Sequence, residues 1–221
     1  MDAPFIQADL DALLDPEGPP WRRLRSASLA LTGTPLGLQP TGAIRVAWTG
    51  KRIGAVDRVA VTAVHQGEFL AFRLEWRDPT ESRAILDTPS FPDAAAVLLP
   101  STPGSSAVTM GAPGAAVNAW YWRADEEHGR HVVAEGIGSS RTLDLELVRG
   151  RGVWKEGSWR VVIARSLRVA GAELVAQLAP GARTGFAVAV WEGSNGERAG
   201  IKAFSGDWRE LRLGGLPSAG R

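Results

Sequence analysis

Cysteine is absent from this chain of 221 residues. Its absence excludes thiolate zinc sites, iron–sulfur ligation, covalent c-type haem attachment, a cysteine nucleophile and disulfides. Any metal must then be held by His, carboxylate, Met, Lys or Tyr. Net charge is nearly absent too: 25 basic residues against 24 acidic leave +1. No overall field exists to hold a polyanion or an anionic membrane, so nucleic acid is not an expected partner. Long apolar runs are missing. The longest, Ala94 to Leu99 and Phe186 to Trp191, fall far short of the roughly 18 residues a membrane helix needs. Met1 to Leu14 carries Asp2, Asp9 and Asp11 and no basic stretch ahead of an apolar one, so no signal peptide is expected there.

Two residue types are scarce. Lysine occurs only at Lys51, Lys155 and Lys202, every other basic residue being arginine, and apart from the initiator the only methionine is Met110. Tryptophan is abundant, with nine copies, and it is the side chain that most often joins a large buried body to one polar contact. Hydrophobic residues at 44% and charged residues at 22% are those of a folded globular protein. The length suits one large domain or two small ones.

Periodicity gives one short helix, Ala8 to Leu14, where Leu10, Leu13 and Leu14 fall at helical spacing before Pro16. Everything after Trp21 reads as strands. Val59, Val61 and Ala63 alternate within Arg58 to His65, Gln66-Gly67 turns the chain, and Glu68 to Trp76 sets Leu70, Phe72, Leu74 and Trp76 on one face. Ile44 to Trp48, Ala94 to Leu99, Val117 to Arg123, His131 to Gly136, Trp159 to Arg165 and Gly185 to Glu192 repeat the pattern between Gly and Pro clusters. The expected fold is all-β, a sandwich of two antiparallel sheets with a short N-terminal helix and long loops. Pro100 to Pro113 and Pro180 to Gly185 read as loops within it, so residues 1–221 are expected to form a single domain.

Several candidate chemistries are weak. Asp125, Glu126, Glu127, His128 and His131 could hold a divalent metal, but Gly129 interrupts them between two strand patterns, which suits a solvated hairpin loop. His65, alone at a strand end, reads as a surface or hydrogen-bonded histidine. No G-x-S-x-G, G-x-G-x-x-G or P-loop occurs, so hydrolytic and nucleotide chemistry have no support. Met110 lies in a loop shaped by Gly111, Pro113 and Gly114. A loop methionine fills gaps, or it ligates iron or copper softly. Lys202 stands in Gly200-Ile201-Lys202-Ala203-Phe204, either as an edge-strand lysine facing water or with its head turned inward.

Two segments together resemble a known family. Met110 to Asp125, MGAPGAAVNAWYWRAD, and Ala189 to Trp208, AVWEGSNGERAGIKAFSGDW, are similar to the haem-b-binding gamma subunits of the type II dimethyl sulfoxide reductase family. Ethylbenzene dehydrogenase, dimethyl sulfide dehydrogenase, and the selenate and chlorate reductases contain such subunits. Weaker agreement runs through Asp15-Pro16 with Trp21 and through WRVVIARSL, Trp159 to Leu167. The resemblance implies a β-sandwich holding one non-covalent haem b between a methionine and a lysine, which carry over to Met110 and Lys202. It implies a non-catalytic electron-transfer subunit, partnered by an iron–sulfur beta subunit and a molybdenum-containing alpha subunit. A soluble cytochrome or other external redox partner would complete the chain of transfer.

Trp120 and Trp122, at i and i+2 of one strand, and Trp191 on another are expected to wall the porphyrin or to pack the core. Family members act outside the cytoplasmic membrane, so a periplasmic location is implied, although no leader is read here and a cytoplasmic one stays open. The alternative function is a carbohydrate-binding module that uses the same three tryptophans as a platform, and a partner-binding subunit without cofactor is a third.

Overall fold

The computed structural model describes residues 1–85, 90–143 and 147–217. Its strands, in chain order, are β1 (Asp2–Ala3), β2 (Ala27–Ala30), β3 (Thr32–Gly33), β4 (Arg58–His65), β5 (Phe69–Arg77), β6 (Ala94–Pro100) and β7 (Val117–Arg123), then β8 (Arg130–Ala134), β9 (Arg141–Thr142), β10 (Val148–Trp154), β11 (Ser158–Ser166), β12 (Arg183–Trp191), β13 (Ala203–Phe204) and β14 (Arg209–Leu213). They form two sheets. The smaller runs β10-β11-β5-β4-β2, and the larger runs β1-β14-β12-β6-β7-β8-β9, with β13 and β3 continuing from β12. The expected two-sheet sandwich is the fold.

The alternation that predicts the β4–β5 hairpin also aims its side chains. Val59, Val61 and Ala63 join Leu70, Phe72, Leu74 and Trp76 in the core between the sheets. From the larger sheet Trp120 meets Phe72 edge-on at 5.9 Å between ring centroids, and Trp122 meets Trp159 at 5.0 Å. The Trp122 indole lies on the backbone of β10, where a Cβ at Gly150 or Gly152 would come within 2.8 or 2.3 Å of its ring. Only glycine fits under it.

Helix α1 (Leu10–Leu14) ends where expected and begins two residues after Ala8, capped by Asp9, whose carboxylate accepts from Ala12 N at 2.7 Å. Leu13 and Trp21 cover the outer face of the smaller sheet at Val64, Ala71, Val162 and Ala164. One expected strand is corrected. Ile44 to Trp48 lies in helix α2 (Gly42–Trp48), capped by Thr41, whose hydroxyl accepts from Ile44 N at 3.3 Å. None of its residues is buried, and Val46 is 77% exposed. Alternation of Ile44, Val46 and Trp48 imitates a strand, but no neighbouring strand pairs with it, and the Thr41 cap decides the local structure. No helix among the described residues is long and apolar enough to cross a membrane.

Candidate functional site

The larger sheet is apolar on its outer face as well, and register makes that face hollow. One cross-strand row reads Phe204, Ala189, Ala96, Tyr121, Arg130; the next reads Ala187, Leu98, Ala119, Val132, Thr142. Alanines occupy the middle of both rows. Their missing bulk leaves a cavity of about 420 Å³, floored by Ala96, Leu98, Ala119, Tyr121 and Val132, with Trp191 at its side. Its roof comes from Thr34 to Ile44, which ends in the first turn of α2, from the loop at Val108 and Met110, and from Ile137 to Thr142, which ends in β9. The volume suits a drug-sized or cofactor-sized group, and the lining is chiefly apolar.

Met110 reaches the cavity from a turn held by Met110 N to Ala107 O at 3.2 Å and Gly111 N to Ser106 O at 2.8 Å. Its φ of 57° is left-handed, a conformation that costs a residue with a Cβ about 1 kcal/mol or more and tends to persist where function requires it. Gly111 follows at φ 87°, where a Cβ would stand 2.6 Å from Ala115 O. That glycine is obligatory, and it fixes the direction in which Met110 points.

Lys202 reaches the same cavity from the other side, one residue before β13. The loop that carries it is anchored by Glu197, which accepts from Gly54 N and Ala55 N at 2.8 Å and from Glu192 N at 3.1 Å. Trp191 Nε1 donates to Ala199 O at 3.0 Å, and Thr34 N donates to Lys202 O at 2.9 Å. Lys202 is 8% exposed. Its Nζ has one long contact, 3.5 Å to Ala199 O, and lies 5.3 Å from the Trp191 ring centre. Among the described residues no carboxylate pairs with it. Burial pushes the amine down to about 8. A smaller hollow of about 20 Å³ beside the cavity also touches both Met110 and Lys202.

The three tryptophans separate. Trp191 lines the cavity and meets Tyr121 edge-on at 5.3 Å. Trp120 and Trp122 do not line it: they occupy the opposite face of β7, 0% and 2% exposed, in the core between the sheets. Trp120 Nε1 donates to Asn118 Oδ1 at 3.2 Å, and the Arg165 guanidinium lies over its ring. Of the two expectations for Trp120 and Trp122, core packing is the one that holds; the cavity is walled by Trp191 and by Tyr121, whose hydroxyl burial holds at about 12 and therefore neutral. Parity along β7 pairs Ala119 with Tyr121 as surely as Trp120 with Trp122; the sequence signal for the cavity is the run of small residues.

The acidic and imidazole group disperses. Asp125 and Glu126 pair with Arg123, and Glu126 also holds Arg130. His128 is exposed, while His131 is 0% exposed inside β8 and held at about 4 by burial and by Arg165. His65 is corrected: it is fully buried, edge-on to Phe5, and burial lowers its pKa. Arg130 and the exposed Arg141 stand at the cavity rim, and neither was singled out from the sequence.

Comparison with known proteins follows the same regions. The family described as ethylbenzene dehydrogenase matches residues 19–145 and 142–203. The chain is 39% identical over 165 residues to the chlorate reductase subunit gamma of Ideonella dechloratans, covering 72% of this chain and 66% of the relative. It is 34% identical over 164 residues to the "Putative respiratory nitrate reductase heme subunit ORF7" of Haloferax mediterranei, covering 74% and 58%. The chain thus spans less than two thirds of the length of these relatives. Among solved structures, a family 9 carbohydrate-binding module from Caldicellulosiruptor kristjanssonii, in complex with glucose, superposes with a TM-score of 0.54 at 10% identity, covering 100% of this chain and 98% of that one. At that identity the likeness is one of fold.

Proposed function

Since the chain belongs to the ethylbenzene dehydrogenase family of oxidoreductase gamma subunits, we propose that it is a non-catalytic electron-transfer subunit that holds one haem b in the cavity on the outer face of its larger sheet. The observation that carries this reading is the arrival of Met110 and Lys202, from separate loops, at one apolar cavity. The donor set fits: one soft thioether, and one buried amine without a counter-ion among the described residues. Met110 and Lys202 would hold a haem there, and the group would supply a one-electron couple.

Each residue has a separable task. Lys202 must present a neutral amine, and burial has already lowered the cost of losing its proton. Arginine at this position could not, because its guanidinium stays charged. Met110 offers a neutral ligand that favours the reduced state, and Gly111 holds it in place. Trp191 and Tyr121 give flat apolar walls, the alanine floor admits a planar group, and Arg130 and Arg141 give the rim positive charge for carboxylates. Without cysteine, attachment is non-covalent.

The family supports the remainder. Residues 1–221 form one haem-binding domain that passes electrons between an iron–sulfur subunit, itself joined to a molybdenum-containing subunit, and an external redox protein, in an extracytoplasmic compartment. The carbohydrate-binding alternative loses its platform, because Trp120 and Trp122 lie in the core.

A reduced-minus-oxidised spectrum of the purified chain with its partners tests the reading. One acid-extractable haem per chain is expected, low-spin in the parent. Met110→Ala and Lys202→Arg should each convert it to high-spin, while Lys51→Arg and Lys155→Arg leave it alone. A colourless, iron-free, well-folded protein, or a spectrum indifferent to Lys202→Arg, would overturn it.

A further inference from the structure

Three carboxylates that the cavity does not use meet at the end of the sandwich. Asp78 follows β5, Asp93 precedes β6 and Glu192 follows β12. Asp78 and Asp93 are 0% exposed and Glu192 7%, and one oxygen of each lies within 4.8 Å of the other two. Donors aim them. Asp93 accepts from Ser82 N and Gly193 N at 2.8 Å and from Trp159 Nε1 at 2.9 Å. Asp78 Oδ1 accepts from Thr80 N at 3.1 Å and Thr80 Oγ1 at 3.2 Å. Glu192 accepts from Ser194 N, Ser194 Oγ and Asn195 N, and lies 3.2 Å from Thr80 Oγ1.

Two observations show that this group is incomplete. Among the described residues no Lys, Arg or His forms an ion pair with any of the three. Separately, the buried Asp78 Oδ2 has no well-formed hydrogen bond among the described residues, and the Trp76 indole N–H beside Asp78 is likewise unsatisfied. Buried anions are paired or coordinate metals, and N–H donors orient a carboxylate without cancelling the repulsion between three of them.

The geometry points to a binding site for one divalent cation, calcium, formed by Asp78, Asp93 and Glu192. The donors are all hard oxygens, which suits calcium or magnesium rather than a transition metal. Hydration separates those two. Magnesium dehydrates reluctantly and is usually held through one or two carboxylates and several waters, whereas calcium takes more protein oxygens in flexible geometry. Three converging carboxylates, all buried, suit calcium. Three carboxylates against one dication leave the charge of a single carboxylate. The ion would clamp the ends of β5, β6 and β12, and with Glu192 the base of the loop that carries Lys202. None of this depends on the haem reading.

The test uses the full chain, washed with EGTA and dialysed against calcium. One calcium per chain is expected, and at a hundredfold excess over its Kd a rise in melting temperature of about 5–10 °C. Magnesium at equal concentration should raise it less. Asp78→Asn, which removes charge while keeping the Asp93 and Glu192 caps, should abolish both binding and shift; if that variant fails to fold, the calcium titration of the parent decides. No bound calcium with identical melting in calcium and EGTA would overturn the site, leaving protons to neutralise the group. Calcium bound as tightly to folded Asp78→Asn would overturn its placement, and a magnesium shift equal to that of calcium would overturn its identity.

Discussion

Replacing Lys202 by methionine should stabilise the haem-free chain while destroying the site. Burial takes the amine from its ordinary 10.5 down to about 8. At about 1.4 kcal/mol per pH unit, the folded state opposes the ammonium by roughly 3 kcal/mol. Methionine, similar in length and uncharged, escapes that penalty. It gives up the position of Nζ over Trp191, worth about 1 kcal/mol, and a 3.5 Å contact to Ala199 O too long to count for much. Lys202→Met should therefore be more stable than the parent by about 2 kcal/mol at neutral pH. The sign with pH follows. Between 8 and 10.5 the unfolded chain keeps the proton that the folded chain has lost, so parental stability rises through that window. Above it the charge penalty is gone and the advantage of methionine disappears. Urea unfolding of both haem-free chains at about pH 7 and about pH 10 reads the difference. A Lys202→Met chain no more stable than the parent at neutral pH, or a parent indifferent to pH across the window, would refute the argument that desolvation prepares this lysine to act as a ligand.

Two further outcomes are expected. Burial first, and then the charge of Glu192 on Asp78 and of Asp78 on Asp93, raise Asp78 to about 6 and Asp93 to about 7; carboxyls raised in the folded state stabilise it at low pH, so the calcium-free chain should lose stability as pH climbs from about 4 to about 7. Thermal melts across that range check this, and a flat profile would contradict it. Gly111→Ala, which forces a Cβ to within 2.6 Å of Ala115 O and 2.8 Å of Ala134 O at φ 87°, should cost about 1–3 kcal/mol and loosen Met110, seen as partial high-spin haem. Unchanged melting and spectrum would show that the turn does not position the ligand.

How much was legible depended on whether the informative residues were neighbours. Alternation in β4 and β5 named the core side chains correctly, and Val117–Arg123 matches β7 end to end, because period-two patterning is a local property. It established that Trp120 and Trp122 share a face but not which face, since both sides of the larger sheet are covered and Ala119 with Tyr121 is as apolar a pair. Alternation alone misplaced Ile44 to Trp48, where a capped, solvent-exposed helix carries the same pattern. The inward head of Lys202 could be suspected from Ile201 and Phe204 beside it. The meeting of Asp78, Asp93 and Glu192 could not, because a hairpin, a crossover and a distant strand bring them together and no spacing along the chain encodes it.

The cavity has walls of two mechanical kinds. Its floor belongs to β6, β7, β8 and β12, whose backbone groups are locked into the interior of the larger sheet and open only when the domain unfolds. Its roof is chain between Thr34 and Ile44, around Met110, and from Ile137 to Thr142, held by short turns that open locally at far lower free energy. Entry and departure of a bound group are therefore matters of loop kinetics rather than of global stability. A variant can retain its full melting temperature and still leak its ligand, because the time a cofactor stays in place is set by how often these segments open rather than by how often the whole domain does.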